Sequence, residues 1–143
     1  MIIKFEKIDN RAIIPTRGSD AAAGYDLYAC VDEMVTIAPH TTVKVGTGLK
    51  FELPDNTFAA IFARSGLAAK GGIRPANCVG VCDSDYRGEY IVALHNDSTT
   101  PTVIMPGDRI AQMVLMPYIP MEFEESSLST TERGSGGFGS TGK

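Results

Sequence analysis

The sequence predicts an all-β domain, a sandwich or barrel of short strands, and two observations predict it. From 42 to 53 the apolar residues all take odd positions, so one face of a strand is buried: Val43, Val45, Leu49, Phe51 and Leu53. Turn signals such as Pro54-Asp55-Asn56 recur about every 8 to 12 residues, a spacing typical of sandwiches and barrels. The 143 residues are enough for one domain with a real core.

The remaining elements follow in chain order. Gly46 and Gly48 interrupt the first stretch, as at a bulge or a close backbone approach. Apolar runs then predict strands at 58–62, 90–94 and 110–116. The segment 65–70 predicts one short helix, with Ser65 as its N-cap and Gly71 as its stop.

The composition changes from about residue 122, first to Glu, Ser and Thr and then to Gly. Such a segment cannot bury enough apolar surface to join a core. We therefore predict a β-barrel domain over 1–121 and a mobile glycine-rich arm over 122–143 that belongs to the same functional unit.

Composition excludes several classes of protein. The net charge of −4 argues against direct nucleic-acid binding, which needs a basic surface. No apolar run approaches the roughly 18 residues of a membrane span, and the N-terminus lacks the features of a signal peptide. Cys30, Cys78 and Cys82 are odd in number and lack zinc-site spacing, so we expect reduced, buried thiols and a cytoplasmic protein.

The glycine-rich tail matches two nucleotide-binding patterns, G-x-G-x-x-G at 134–139 and the start of a P-loop at 137–143. Both patterns need a following helix, and the sequence ends at Lys143, so we expect neither motif. Glycine backbone N–H groups can still surround an anion, and Arg133 adds a fixed positive charge. A phosphate-gripping flap and a flexible terminus both remain open from composition alone.

Four other segments contain site-like chemistry. The segment 63–67 places Arg64 and Ser65 at a predicted helix start, where anions bind well. The segment 80–88 places two carboxylates and a tyrosine between two predicted strands, where a carboxylate could act as a general base. Ordinary caps, turns and exposed ion pairs explain each segment equally well when it is taken alone.

In chain order, the five segments are AAGYDLYA (22–29), ARSGLA (63–68), GVCDSDYRGE (80–89), GDRIAQ (107–112) and RGSGGFGSTG (133–142). Together, and in this order, they resemble the trimeric deoxyuridine triphosphatase (dUTPase) family, which is marked by five ordered motifs. The resemblance implies a distorted jelly-roll-like β barrel and a homotrimer whose three active sites are each built from all three subunits. It also implies hydrolysis of dUTP to dUMP and pyrophosphate, with Mg²⁺ on the triphosphate.

The resemblance also assigns roles by position. Asp83 corresponds to the general base for the attacking water, and Tyr86 to the tyrosine that packs on deoxyribose and excludes a 2′-hydroxyl. Asp26 corresponds to the acid that holds Mg²⁺ through water. The uracil would be read by Asn77, by backbone groups of Cys78, Val79, Gly80 and Val81, and by stacking on Phe138. The phosphates would be bound by Arg64, Ser65, Gly66, Gln112, Arg133, Ser135, Gly136, Gly137, Gly139, Ser140 and Thr141.

Two departures from the family pattern are small, namely Ala63 where many members have proline and Cys82 where an aliphatic residue is usual. A thiol beside Asp83 leads to the hypothesis that thiol reagents or oxidation affect activity. Two other functions are open: a dCTP deaminase-type enzyme of the same fold, and a regulatory protein gated by the nucleotide. The family also occurs in viruses and eukaryotes, so an intracellular location in a host, including the nucleus, is the alternative to the cytoplasm.

Overall fold

The structure is a computed structural model and describes residues 1–137. Eleven short strands and one short helix form this part of the chain. The elements are β1 (Lys4–Lys7), β2 (Tyr25–Tyr28), β3 (Val35–Ile37), β4 (Thr42–Gly46), β5 (Leu49–Glu52), β6 (Thr57–Phe62), α1 (Ser65–Gly71), β7 (Ile73–Pro75), β8 (Gly80–Asp83), β9 (Ile91–Asn96), β10 (Thr102–Ile104) and β11 (Arg109–Pro117). The all-β class and the single short helix are confirmed.

The strands form four antiparallel groups. A four-stranded sheet has the order β2-β11-β6-β8, and a three-stranded sheet has the order β4-β9-β7. Two smaller pairs join β1 to β5 and β3 to β10. Neighbours in the four-stranded sheet are far apart in sequence, so this sheet brings together the first four motifs from distant parts of the chain.

The alternating stretch behaves as its pattern predicts. Val45, Leu49, Phe51 and Leu53 are buried in the core, and the interruption falls between β4 and β5. Gly48 has φ +68, and a Cβ there would lie 2.8 Å from both the Ala12 Cβ and the Cys30 Sγ. The interruption therefore marks a close backbone approach that only glycine fits.

The predicted ends of the helix are each wrong by one residue. Arg64, in extended conformation (φ −86, ψ 130), is the N-cap and no side chain caps the helix, whereas Ser65 is already helical. The helix stops at Gly72, not at Gly71, because Gly72 takes the left-handed conformation (φ 66) and donates its N–H to the Ala68 carbonyl at 3.1 Å.

The prediction for the cysteines is partly wrong. All three thiols are free, and Cys30 and Cys82 are partly buried, but Cys78 is exposed. Cys78 lies in the loop 76–79 between β7 and β8 rather than in a strand facing the core.

After β11 the described chain to residue 137 contains neither helix nor strand. Its apolar side chains are exposed, among them Ile119 and Phe123, and the boundary at 121 stays a prediction. Within residues 1–137, no helix has the length and apolar character that crossing a membrane requires.

Candidate active site

A cavity of about 620 Å³ opens over one face of the four-stranded sheet, where β2, β11 and β6 lie side by side. Strand pairing places Asp26 opposite Gln112 and Gln112 opposite Phe62, so these three side chains share one face. The second motif begins directly after Phe62 and adds its arginine and helix start to the rim. The lining includes Gly24, Asp26, Phe62, Arg64, Ser65, Gly66, Arg109 and Gln112.

Asp26 holds two guanidinium groups in this cavity. Its Oδ1 accepts a hydrogen bond from Arg64 Nε at 2.7 Å, and its Oδ2 accepts one from Arg109 NH1 at 3.3 Å. The Asp26 side chain is only 13% exposed, whereas that of Arg109 is 52% exposed. The cavity therefore presents more positive than negative charge, which suits a polyanion.

Gln112 is fixed by the backbone around it. Its Nε2 donates to the Ala63 carbonyl at 2.9 Å, which orients the amide within the cavity. A Cβ at Gly24 would collide with Gln112 Oε1, so glycine in the first motif makes room for the glutamine of the fourth.

A second, smaller cavity of about 230 Å³ lies at the far end of the sheet. Asp83 ends β8 with an exposed side chain, and Tyr86 follows in a turn closed by its N–H on the Asp83 carbonyl at 3.2 Å. The Tyr86 hydroxyl donates to the Glu89 carbonyl at 3.2 Å. The lining consists of Asn77, Val81, Cys82, Asp83, Tyr86, Glu89, Tyr90 and Ile91.

Gly80 allows a close side-chain contact where the loop 76–79 enters β8. A Cβ at Gly80 would lie 3.1 Å from Asn77 Nδ2 and 3.2 Å from Ile61 Cβ. The Asn77 amide therefore packs over the glycine, which places this side chain at the mouth of the smaller cavity.

Cys82 and Tyr90 form an apolar floor beside Asp83. Burial, together with the nearby charge of Asp83, raises the pKa of the Cys82 thiol to about 11. Little thiolate then exists at neutral pH, which argues against the hypothesis that Cys82 confers sensitivity to thiol reagents. Burial and the neighbouring Cys82 thiol likewise raise the pKa of Tyr90, whose hydroxyl makes no hydrogen bond of normal distance and angle among the described residues.

The described residues of the fifth motif, 133–137, lie apart from both cavities. Arg133 Nε donates to the Gly136 carbonyl at 2.9 Å, and the Gly136 N–H donates to the Arg133 carbonyl at 3.0 Å, so this stretch forms a local turn. In the described part of the chain, neither cavity is lined by Arg133, Ser135, Gly136 or Gly137. Phe138, Gly139, Ser140 and Thr141 lie outside the described residues.

The donors present fit only one kind of metal binding. Within residues 1–137 no group of three His, Cys, Asp or Glu side chains is placed to hold a metal ion. Asp26 offers a single carboxylate, and both its oxygens already accept hydrogen bonds from arginine. This set suits Mg²⁺ held mainly by phosphates and water, with Asp26 as an outer partner, and does not suit an ion held by protein ligands alone.

Comparison with known proteins assigns the chain to a family. A family model described as dUTPase matches residues 10–142. The chain belongs to the dUTPase family. The deoxyuridine 5′-triphosphate nucleotidohydrolase of Desulfitobacterium hafniense (strain DSM 10664 / DCB-2) is 49% identical over 142 residues, which cover 98% of this chain and 94% of that protein. The enzyme of the same name from Hydrogenobaculum sp. (strain Y04AAS1) is 45% identical over 143 residues, 99% of each chain.

Solved structures of this family share the fold. A mutant of the Staphylococcus bacteriophage 80alpha dUTPase with dUpNHpp superposes with a TM-score of 0.90 at 23% identity, covering 99% of both chains. A mutant dUTPase from phage phi11 of S. aureus, in which a structural Mg(II) ion is coordinated, gives a TM-score of 0.82 at 18% identity, covering 92% of this chain and 100% of that one. The jelly-roll-like fold expected from the resemblance is therefore confirmed.

Three residues escaped the sequence reasoning. Arg109 stands inside the fourth motif, so its position could have suggested a role, and the structure pairs it with Asp26. Tyr90 directly follows the third motif and lines the smaller cavity. Arg74 had no local signal, because its carboxylate partner Asp97 is 23 residues away.

Proposed function

We propose that the chain hydrolyses dUTP to dUMP and pyrophosphate. The names of its relatives state that they are hydrolases of deoxyuridine 5′-triphosphate. Family membership over residues 10–142 is the observation that carries this proposal. The two cavities supply matching chemistry: one is rich in arginine and suits phosphates, and the other combines a carboxylate, a tyrosine and an amide and suits a nucleoside.

We propose a homotrimer with shared active sites, because one chain holds the two halves of the site apart. Phe62, in the phosphate cavity, and Phe58, which pairs with Asp83, are four residues apart on β6. Four residues of strand span about 13 Å, so the base site and the phosphate site of one chain are two separate cavities. The base site of one protomer would instead complete the phosphate site of its neighbour.

The chemical step needs an in-line water. Asp83 accepts a proton from this water while the water oxygen attacks the α-phosphorus. The bond between the α-phosphorus and the oxygen that bridges to the β-phosphorus breaks, and pyrophosphate leaves with the electron pair. Arg64 and Gln112 orient the phosphates, and the backbone at Ser65 and Gly66 offers N–H donors. Mg²⁺, when bound to the triphosphate, would neutralise its charge.

Asp26 has a supporting role in this proposal. It fixes Arg64 through the 2.7 Å contact and remains close enough to the phosphate cavity to hold a metal-bound water. The same carboxylate keeps Arg109 turned toward the cavity.

Base and sugar selection follow from the smaller cavity. The Asn77 amide and the backbone of Cys78, Val79, Gly80 and Val81 would pair with the uracil edge, where cytosine presents the wrong donors. A site built around buried polar groups rejects a mismatched base strongly, and a tight loop has no room for the methyl group of thymine. Tyr86 would pack on the deoxyribose and leave no space for a 2′-hydroxyl.

The arm would close the site from a third protomer. Arg133, Ser135, Gly136 and Gly137, followed by Gly139, Ser140 and Thr141, would grip the β- and γ-phosphates, and Phe138 would stack on the uracil. In the cell this reaction keeps uracil out of DNA and supplies dUMP for thymidylate synthesis. The three free cysteines fit the reducing cytoplasm.

Pyrophosphate release from dUTP, dCTP, dTTP and UTP, with and without Mg²⁺, tests the proposal. We expect strong turnover of dUTP only, and a large loss when Mg²⁺ is chelated. Ammonia release from dCTP would instead assign a deaminase of the same fold.

A further inference from the structure

The base-reading loop, residues 76–79, bridges two different sheets. It leaves β7, which pairs with β9 in the three-stranded sheet, and enters β8, which pairs with β6 in the four-stranded sheet. Most of its side chains are exposed, so the loop gains little order from core packing. The backbone N–H of Ala76 donates to the Ala93 carbonyl of β9 at 2.7 Å, which fixes the first residue of the loop, but residues 77–79 need a further anchor.

Arg74, the middle residue of β7, makes that connection. Its Nε and NH2 bind the two carboxylate oxygens of Asp97 at 2.6 and 3.0 Å, which is a bidentate pair. Its remaining nitrogen, NH1, donates to Cys78 Sγ at 3.0 Å and to the Pro75 carbonyl at 3.3 Å. The Cys78 thiol in turn donates to the Pro75 carbonyl at 2.8 Å, so one guanidinium joins the loop to a fixed carboxylate.

Asp97 is a firm anchor because of the backbone around it. Its N–H donates to the Gly72 carbonyl at 2.8 Å, and it directly follows the buried Asn96 at the end of β9. The Asn96 amide donates to the Ile37 carbonyl at 3.0 Å and to the Thr100 carbonyl at 2.8 Å. The carboxylate that holds Arg74 is therefore attached to the core of the barrel.

We propose that Arg74 is a positioning residue that holds the base-reading loop in the conformation that binds uracil. This inference rests on the proposed dUTP hydrolysis, since it names what orders one half of that site. Arg74 touches neither cavity and acts only through Cys78 and the backbone at Pro75. Only a planar guanidinium can bind a carboxylate with two nitrogens and offer a third to the loop, so lysine is a poor substitute.

The decisive variant is Arg74→Met, which keeps the length and apolar stem of the side chain. We expect the KM for dUTP to rise about tenfold with kcat within about twofold, because base binding contributes equally to ground and transition states. The inhibition constant of dUMP should rise in parallel, since dUMP also carries the base. The inhibition constant of inorganic pyrophosphate, which contacts only the phosphate side, should not change.

Arg11→Met is the matched control. Arg11 is also a partly exposed arginine, pairs with Asp9 and Asp32, and makes no contact with the loop. We expect wild-type KM and kcat from it. Asp97→Asn should give a smaller rise in KM than Arg74→Met because the amide keeps a single hydrogen bond, and Arg74→Lys should recover only part of the loss.

Each result separates this inference from the proposed function. If wild-type protein fails to hydrolyse dUTP, the proposed function is wrong. If wild-type protein is active and Arg74→Met keeps its KM for dUTP and its inhibition constant for dUMP within twofold, the positioning role is wrong. A variant that loses kcat and thermal stability with an unchanged KM would show that Arg74 is merely structural.

Discussion

Asp83 and Gln112 lie on the same face of one sheet but at opposite ends of the strand between them. Asp83 pairs with Phe58, and Gln112 pairs with Phe62. A strand rises about 3.3 Å per residue, so about 13 Å of β6 separates Phe58, opposite Asp83, from Phe62, opposite Gln112. The base site and the phosphate site are therefore separate cavities within one chain, and the proposed trimer would join them between protomers.

Subunit complementation measures that sharing directly. Asp83→Asn and Arg64→Ala should each be nearly inactive alone, but mixed trimers formed by co-refolding equal amounts should recover about a quarter of wild-type activity. About a quarter is expected because each site takes Asp83 from one protomer and Arg64 from another, and each is intact half of the time. Pyrophosphate release from the purified mixture gives the value.

A site contained within one chain would behave differently. Every chain in the mixture carries one defect, so no intact site could form and activity would stay at the level of the single variants. Trimers refolded from each variant alone are the control for activity recovered by refolding.

Asp83→Asn separates chemistry from binding. The amide keeps the shape of the side chain but cannot take a proton from water, so we expect kcat to fall about 100-fold or more. Calorimetric titration with dUpNHpp should give an affinity close to that of the wild type. Near-normal turnover in this variant would remove Asp83 from the role of base.

The strands and motifs were readable from sequence because they rest on local rules. Alternation placed Val45, Leu49 and Phe51 in the core, and the order of the five motifs predicted the family and the site residues. The pairing of Asp26 with Arg64 and Arg109 was not readable, since strand pairing brings these side chains together over 38 and 83 residues of sequence. Composition equally could not show that the two groups of motifs occupy separate cavities.

Removing residues 133–143 tests the arm. The last strand ends at Pro117 and the following described residues add no regular structure, so a chain ending at Glu132 should keep its fold and thermal midpoint. We expect very low activity, because Arg133 and the glycines after it would no longer reach the phosphates. Circular dichroism melts and pyrophosphate release measure the two properties, and full activity of the shortened chain would exclude a closing flap.

Alkaline pH should weaken the fold through Cys82. Burial raises the pKa of this thiol from 9.0 to about 11, so between these values the unfolded chain loses a proton that the folded chain keeps. Stability is therefore complete below about pH 9 and falls as pH rises toward 11. Urea midpoints measured from pH 8 to 11 should fall less steeply for Cys82→Val than for the wild type, and parallel curves would contradict the assignment.

Tyr90 combines deep burial with an unpaired hydroxyl, which predicts a stabilising substitution. The residue is 2% exposed, its ring packs against Phe51 with centroids 4.6 Å apart, and its hydroxyl has no partner among residues 1–137. A buried hydroxyl without a hydrogen bond costs about 1–3 kcal/mol, whereas the ring contacts survive in phenylalanine. Tyr90→Phe should therefore raise the thermal midpoint by about 3 °C.

Tyr28→Phe is the opposite control, because the Tyr28 hydroxyl forms a hydrogen bond with Thr16 Oγ1, and the thermal midpoint of this variant should fall. A lower midpoint for Tyr90→Phe would mean that the hydroxyl has a stabilising partner, such as the neighbouring Cys82 thiol, an ordered water or a neighbouring protomer.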